Sequence, residues 1–256
     1  MSLTFSDRGG WHLYRLDDQR VPSVTTIING GLPKPALVRW SAKVVAEAVA
    51  AMPSTIDAVR DMGSDALVAA LVALPGQARN AAGVRGTEIH AFAEQVVHGE
   101  PVQPPADLVD AVAGYARWLD MSGFEPEMTE HIVGSRTHAY AGRFDVVGQM
   151  REERWLLDVK TSRAVYGDTS LQCAAYARAD FHVDPADPDR TEIHMPRVER
   201  IGVLHVQPDV TELYDLGDID AGFAEFLAAQ TIYAGNRRRD ELVRTPVQIA
   251  DTRALF

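Results

Sequence analysis

Two β-rich segments separated by a short charged stretch constrain the fold of this chain more than any other feature. Residues 141–150 and 155–161 are rich in strand-forming residues, and the stretch 151–154 between them reads Arg-Glu-Glu-Arg. Such runs with a polar break predict two strands joined by a turn. We therefore expect a pair of adjacent antiparallel strands at the centre of a sheet.

The second of these strands carries charged residues inside an apolar run. Side chains at i and i+2 share a strand face, so Asp158 and Lys160 are predicted to project together while Val159 faces the apolar side. Asp145, on the first strand, is expected to lie beside them.

Burying such charges is unfavourable unless they are paired or bind an ion. Carboxylate and carbonyl oxygens suit Mg²⁺ or Mn²⁺, and a neighbouring ammonium can assist a water or neutralise phosphate charge. The alternative is an exposed hairpin with a surface Asp–Lys ion pair.

A helix predicted at 170–180 follows these strands. Gln172 and Tyr176 stand at i and i+4, so they share one helix face near the strand's end, where an amide and a phenol can hold a phosphate backbone. The alternative is a partly buried helix with the tyrosine in the core and the glutamine in solvent.

Another helix is predicted at 87–98, with Thr87 as its N-cap. His90 and Glu94 are again i and i+4, and His90 lies at the border of an apolar stripe. A neutral imidazole there suits a metal ligand, although a structural histidine is the commoner case.

Four motifs occur in a fixed order: G-T-x-I-H-x3-E at 86–94, G-R-F-D at 142–145, L-D-V-K-T at 157–161 and Q-x3-Y at 172–176. Together they resemble the RecB-like branch of the PD-(D/E)XK nuclease superfamily. The chain is most similar to small phage-encoded and CRISPR-associated exonucleases, and residues 22–35 are similar to the N-terminal segment of the phage members.

The resemblance implies a role for each matching residue. It implies metal ligation of Mg²⁺ or Mn²⁺ by four groups: His90, Asp145, Asp158 and the Val159 carbonyl. It implies catalytic roles for Lys160 with Asp145 and Asp158, and an accessory role for Gln172 and Tyr176. Glu130, in a strand predicted at 128–133, resembles an acidic residue of many members, and Glu94 is a further candidate for supporting the imidazole or a metal-bound water.

The resemblance also implies a fold and a function. We expect an α/β chain bordering on α+β, with a restriction-endonuclease-like core of a central mixed sheet flanked by helices. One nuclease domain spans 1–256, with a mainly helical part at 1–124 carrying His90 and a sheet part at 125–256. The implied activity is metal-dependent exonuclease hydrolysis of DNA in phage-type recombination, repair or genome processing, with a strand-annealing protein as a further partner. A histidine ligand predicts Mn²⁺ activity at least equal to Mg²⁺ activity.

Some relatives carry an iron–sulfur cluster bound by four cysteines. This chain has one cysteine, Cys173, so we expect no such cluster. Its place in the predicted helix favours a small buried apolar side chain over a reactive thiol.

The formal net charge of −11 disfavours indiscriminate nucleic-acid binding, because phosphate affinity comes mainly from Lys and Arg. A local basic groove is still compatible with that total. Candidate DNA contacts are Lys34, Arg39, Lys43, Arg143 and Arg163. The arginine run at 237–239, at the end of a predicted helix, is another candidate.

No apolar run is long enough to span a bilayer and the first residues lack a signal-peptide pattern, so we expect a cytoplasmic protein without membrane contact.

Two alternatives to the exonuclease stay open. One is a catalytically inactive DNA-binding or scaffold protein with a nuclease fold, and the other is a hydrolase of small phosphoesters with a closed pocket.

The remaining pattern predicts further elements. We expect strands at 12–16, 198–207 and 211–216, a loop at 182–196, and helices at 23–29, 36–52, 54–62, 64–74, 106–122 and 219–233.

Overall fold

The computed structural model describes residues 2–8, 11–51 and 63–243. The strands within those ranges are β1 (Leu3–Arg8), β2 (Trp11–Leu16), β3 (Gln19–Val21), β4 (Glu125–Thr129), β5 (Ile132–Ser135), β6 (Tyr140–Arg143), β7 (Val146–Met150), β8 (Glu153–Lys160), β9 (Phe181–Val183), β10 (Ile193–His194), β11 (Arg200–Val206) and β12 (Thr211–Asp215). The helices are α1 (Val24–Gly31), α2 (Pro35–Ala51), α3 (Ser64–Val97), α4 (Val109–Ser122), α5 (Asp168–Ala177) and α6 (Ile219–Leu242). The helix predicted at 54–62 lies outside the described residues.

A five-stranded mixed sheet of order β12-β11-β8-β7-β4 forms the centre of the fold. Its middle strand, β8, runs parallel to β11 and antiparallel to β7. The predicted antiparallel pair is therefore present, and Arg151 and Glu152 form its turn with positive φ. β8 is buried from Trp155 to Val159, as its apolar run requires. The predicted hairpin of 198–207 and 211–216 is also present as β11 and β12.

Helices cover both faces of this sheet, which gives the α/β class that we expected. α1, α5 and α6 pack on one face through residues such as Ile27, Ala174 and Phe226. α3 and α4 pack on the other face, where Ile89 and Tyr115 meet Val159. α1 begins at a capped end, because Thr26 N donates to Ser23 Oγ at 3.0 Å.

Two segments predicted as single strands are each broken where the chain passes between sheets. β4 pairs with β7 in the mixed sheet, whereas β5 and β6 pair in a second sheet of order β10-β9-β5-β6. Between them, Glu130 N donates to Asp145 O at 2.9 Å and Phe144 N donates to His131 O at 3.2 Å. We call these four residues the corner. The prediction of one unbroken strand at 128–133 and another at 141–150 was therefore wrong. A β-rich run does not show that its two halves join different sheets.

The third sheet is the antiparallel set β1-β2-β3. It packs against the second sheet, with Leu16 and Tyr14 in a cluster that includes Ile132 and Phe181. The predicted strand at 12–16 is β2.

Helix α3 corrects two predictions. The helices expected at 64–74 and from Thr87 are one continuous 34-residue helix that includes Pro75. Thr87 is an interior residue rather than an N-cap, and its hydroxyl donates to Gly83 O at 3.1 Å. The Ala-rich stretch at 77–82 has high helix propensity, which outweighs the local cost of proline and glycine.

Two boundaries also differ from the predictions. The loop expected at 182–196 contains the end of β9 and all of β10, which pair antiparallel. The last helix continues past Tyr233 to Leu242, so residues 237–239 lie near its C-terminal end, where cations suit the helix dipole. Within the described part of the chain, we find no helix that is both long and apolar enough to cross a membrane.

Candidate metal centre

The corner places an acidic side chain beside β8. β7 begins at Val146, opposite Leu157, so its pairing with β8 stops there. Val159 N donates instead to Asp145 Oδ2 at 2.6 Å. The N–H and C=O of one strand residue point to the same side, so the Val159 carbonyl also faces the Asp145 side. The predicted approach of Asp145 to this strand is therefore confirmed.

Asp158 and Lys160 share one face of β8, as their spacing predicts. Lys160 Nζ lies 2.7 Å from Asp158 Oδ2, and Gln172 Nε2 donates to Asp158 Oδ1 at 2.7 Å. Val159 points the other way, into the cluster under α3 and α4. Asp158 is only 2% exposed, which excludes the alternative of a surface ion pair.

One oxygen of this buried carboxylate is incompletely satisfied. Asp158 Oδ2 accepts no hydrogen bond of good geometry within the described residues, and its charge is paired with the Lys160 ammonium 2.7 Å away. A buried carboxylate oxygen without a hydrogen bond is unfavourable. The pairing with Lys160 offsets part of that cost, and a second cation nearby would lower it further.

His90 and Glu130 lie on the other side of Asp145. His90 Nδ1 is 3.5 Å from Asp145 Oδ2 and 4.0 Å from Glu130 Oε1. One potential ligand atom from each of these three residues lies within 4.8 Å of the others. Buried Ile89 and Ala93 fix the helix face of α3, which leaves His90 at the margin of the apolar cluster. The structure thus places Glu130 among the potential metal ligands, and not in a supporting position outside the ligand set.

The electrostatics reflect crowding of charges in a buried site. The Asp145 carboxylate raises the pKa of His90 well above its usual value, against the effect of burial. Burial would raise the pKa of Asp145, but the charges of His90 and Lys160 outweigh it and the pKa is lowered. Burial, and then the Asp145 charge, raise the pKa of Asp158 to about 6. Burial disfavours the Lys160 ammonium, yet Asp158 and Asp145 keep the lysine pKa above its usual value.

These residues fit a divalent cation. The donors are carboxylate oxygens, one imidazole nitrogen and a strand carbonyl, which is a set that Mg²⁺ and especially Mn²⁺ accept. The mutual repulsion of Asp145 and Asp158 would be relieved by added positive charge.

Tyr176 and Cys173 on α5 are placed in the core. Tyr176 is 3% exposed and packs against Gly142, and burial raises the pKa of its phenol well above the usual value. The buried phenol cannot contact a substrate in this conformation, whereas half-buried Gln172 reaches Asp158. Cys173 is fully buried, as predicted for a small apolar side chain.

Glu94 is exposed and lines a small cleft with His90, Tyr115 and Val159. Within the described residues it makes no hydrogen bond to His90. Tyr115 was missed by the sequence prediction, because an aromatic residue on an amphipathic helix gives no signal beyond packing.

The predicted DNA contacts differ in their pairing. Three of them are bound to acidic residues: Lys34 to Asp168, Lys43 to Glu47 at 3.4 Å, and Arg143 to Glu130 at 2.9 Å. Arg39 and Arg163 are exposed and make no ion pair with the described part of the chain. Among the predicted DNA contacts, these two therefore carry the positive charges that no neighbouring carboxylate of the described residues neutralises.

Comparison with known proteins adds little. No family model matches the chain, and no curated protein matches it. One similar solved structure is titled the crystal structure of SSO0001, with 12% sequence identity, a TM-score of 0.30, and coverage of 88% of this chain and 77% of that chain. A likeness at that level carries no argument about function.

Proposed function

We propose that this chain is a metal-dependent deoxyribonuclease, and specifically an exonuclease, that hydrolyses phosphodiester bonds in DNA. One observation carries the proposal: one potential ligand atom from each of His90, Glu130 and Asp145 lies within 4.8 Å of the others, beside the buried ion pair of Asp158 with Lys160. Carboxylates and a lysine that shift one another's pKa in a buried cluster are typical of functional sites. The motif order that resembles RecB-like nucleases agrees with this reading.

Each residue has a role that its contacts support. His90, Asp145, Asp158 and the Val159 carbonyl, joined by Glu130, would hold Mg²⁺ or Mn²⁺. A bound ion of this kind supplies Lewis-acid stabilisation of phosphate charge and a water of lowered pKa. Lys160 keeps its positive charge where negative charge develops on the phosphate. Gln172 fixes the orientation of Asp158 through its 2.7 Å hydrogen bond.

DNA contact is proposed for the cations that are not neutralised by a neighbour. Arg163 lies three residues after the end of β8 and is exposed, and Arg39 is exposed on α2. Lys34 and Lys43 would have to leave Asp168 and Glu47 to bind phosphate. A cytoplasmic location belongs to the same proposal, and so does a strand-annealing partner, which only the resemblance implies.

The test uses end-labelled linear DNA and covalently closed circular DNA of the same sequence, each incubated with Mn²⁺, Mg²⁺ or EDTA. We expect metal-dependent release of label from linear DNA, an intact circle, and activity with Mn²⁺ at least equal to that with Mg²⁺. Cleavage of the circle would replace exonuclease by endonuclease. Absence of metal-dependent cleavage of either DNA would contradict the proposal and favour a non-catalytic binding protein.

A further inference from the structure

Beside the corner, Glu130 forms an ion pair with Arg143, a cation to which the proposed reaction assigns no role. Arg143 Nε lies 2.9 Å from Glu130 Oε2, with side chains 42% and 15% exposed. The other oxygen of the same carboxylate, Oε1, is the one nearest His90, at 4.0 Å. The two oxygens of Glu130 are thus divided between the guanidinium and the ligand cluster.

The backbone fixes where these two residues meet. Arg143 is the last residue of β6 and pairs with Ile132, and Glu130 precedes that pair on the facing segment. Glu130 has a φ of 56°, an uncommon conformation for a residue with a side chain, which is held by its N–H bond to Asp145 O. The carboxylate itself is held by Arg143. Carboxylates that bind metals are commonly oriented by such a hydrogen bond to the second oxygen.

We propose that Arg143 is a positioning residue that presents Glu130 to the metal as a ligand beside His90 and Asp145. This inference rests on the metal centre of the proposed function, but not on the nuclease activity. It differs from direct phosphate contact by Arg143, which the sequence alone favoured. Lysine is not an equivalent replacement, because its ammonium lacks the planar guanidinium that binds a carboxylate in fixed geometry.

The test is to titrate the metal-free 256-residue chain with Mn²⁺ and to measure its Mn²⁺ affinity. Calorimetry and the EPR signal of free Mn²⁺ monitor the titration. We expect Arg143→Ala to weaken binding by about 10- to 100-fold, and Arg143→Lys to recover only part of that loss. Glu130→Gln should weaken binding similarly. The double variant Arg143→Ala/Glu130→Gln should bind no more weakly than Glu130→Gln, because Arg143 acts through Glu130.

Arg197→Ala is the matched control, since Arg197 also pairs with a glutamate, Glu199, at 3.4 Å in a segment remote from the corner. It should bind Mn²⁺ like the wild type. Circular dichroism of each variant verifies folding, and Glu130→Gln, which keeps the side-chain size, tests the ligand if Arg143→Ala does not fold.

The outcomes distinguish the positioning role of Arg143 from the nuclease function. Wild-type affinity in Arg143→Ala, or additive losses in the double variant, would overturn the positioning role while leaving the nuclease proposal intact. Mn²⁺ binding that depends on Arg143 in a protein without DNA cleavage would support the positioning role and contradict the nuclease. A wild type that binds no Mn²⁺ would contradict both.

Discussion

Val159 donates its backbone N–H to the Oδ2 atom of Asp145 at 2.6 Å. A side chain from the corner thereby takes the place of a strand partner at the point where β7 stops pairing with β8. This one contact joins the sheet to the ligand cluster, since the same oxygen lies 3.5 Å from His90 Nδ1.

Two substitutions of Asp145 separate its structural and metal-binding roles. Asp145→Asn keeps an oxygen that accepts from Val159 N, whereas Asp145→Ala leaves a buried N–H without a partner. In EDTA, we expect Asp145→Ala to have a free energy of unfolding about 1–3 kcal/mol below that of Asp145→Asn. Both should lose Mn²⁺ affinity. Urea denaturation measures the difference, and equal stability of the two variants would show that the hydrogen bond is unimportant.

The glycine of the G-R-F-D motif has a packing role that can be measured. A Cβ on Gly142 would lie 2.4 Å from Tyr176 Cε1, so Gly142→Ala should destabilise the protein by about 1–3 kcal/mol. Tyr176→Leu in the same chain should relieve part of that clash, because the ring is removed. A double variant no more stable than Gly142→Ala in thermal unfolding would contradict the assigned contact.

A pair of histidines in the second sheet predicts acid sensitivity. His131 Nδ1 and His182 Nδ1 lie 2.9 Å apart, so one donates and the other accepts. Burial, and then the neighbouring His131, lower the pKa of His182 to about 4 from 6.5, and burial also lowers the pKa of His131. The unfolded chain therefore binds more protons between pH 6.5 and 4. Stability is fully present above pH 6.5 and falls as the pH drops toward 4, by no more than about 3 kcal/mol.

His182→Asn isolates this effect from that of the carboxylates, since the amide is neutral at every pH in the range and supplies a polar atom near the position of Nδ1. The free energy of unfolding of this variant should depend less on pH between 6.5 and 4 than that of the wild type. Identical pH profiles for the two proteins would rule out the histidine pair as a source of acid sensitivity.

The sequence was informative where local rules decide the structure. The period of two along a strand placed Asp158 and Lys160 on one face and Val159 on the other, and the charged stretch at 151–154 marked the turn between β7 and β8. The helix spacing likewise put Gln172 within reach of Asp158. These relationships need only neighbours in the chain or in one hairpin.

What escaped prediction depends on contacts between sheets. Nothing local marks Glu130 as a left-handed residue, because the glycine or asparagine that usually signals such a turn is absent. The corner therefore looked like uninterrupted strand, and the meeting of Glu130 with Arg143 could not be read from the sequence. The two alternatives for Tyr176 stayed open for a similar reason, since helix spacing does not show which residues are buried against Gly142.

The central claim is that this cluster of charged residues forms a metal-dependent nuclease centre in which Lys160 acts on the substrate rather than on the fold. The most direct measurement is the turnover of linear DNA with Mn²⁺ by Lys160→Ala, with Mn²⁺ affinity measured on the same preparation and Arg197→Ala as a control for the loss of one positive charge. We predict that Lys160→Ala binds Mn²⁺ at least as well as the wild type, because a neighbouring cation has been removed, and that its turnover falls by about 100-fold or more. Turnover equal to that of the wild type and of Arg197→Ala would contradict the account.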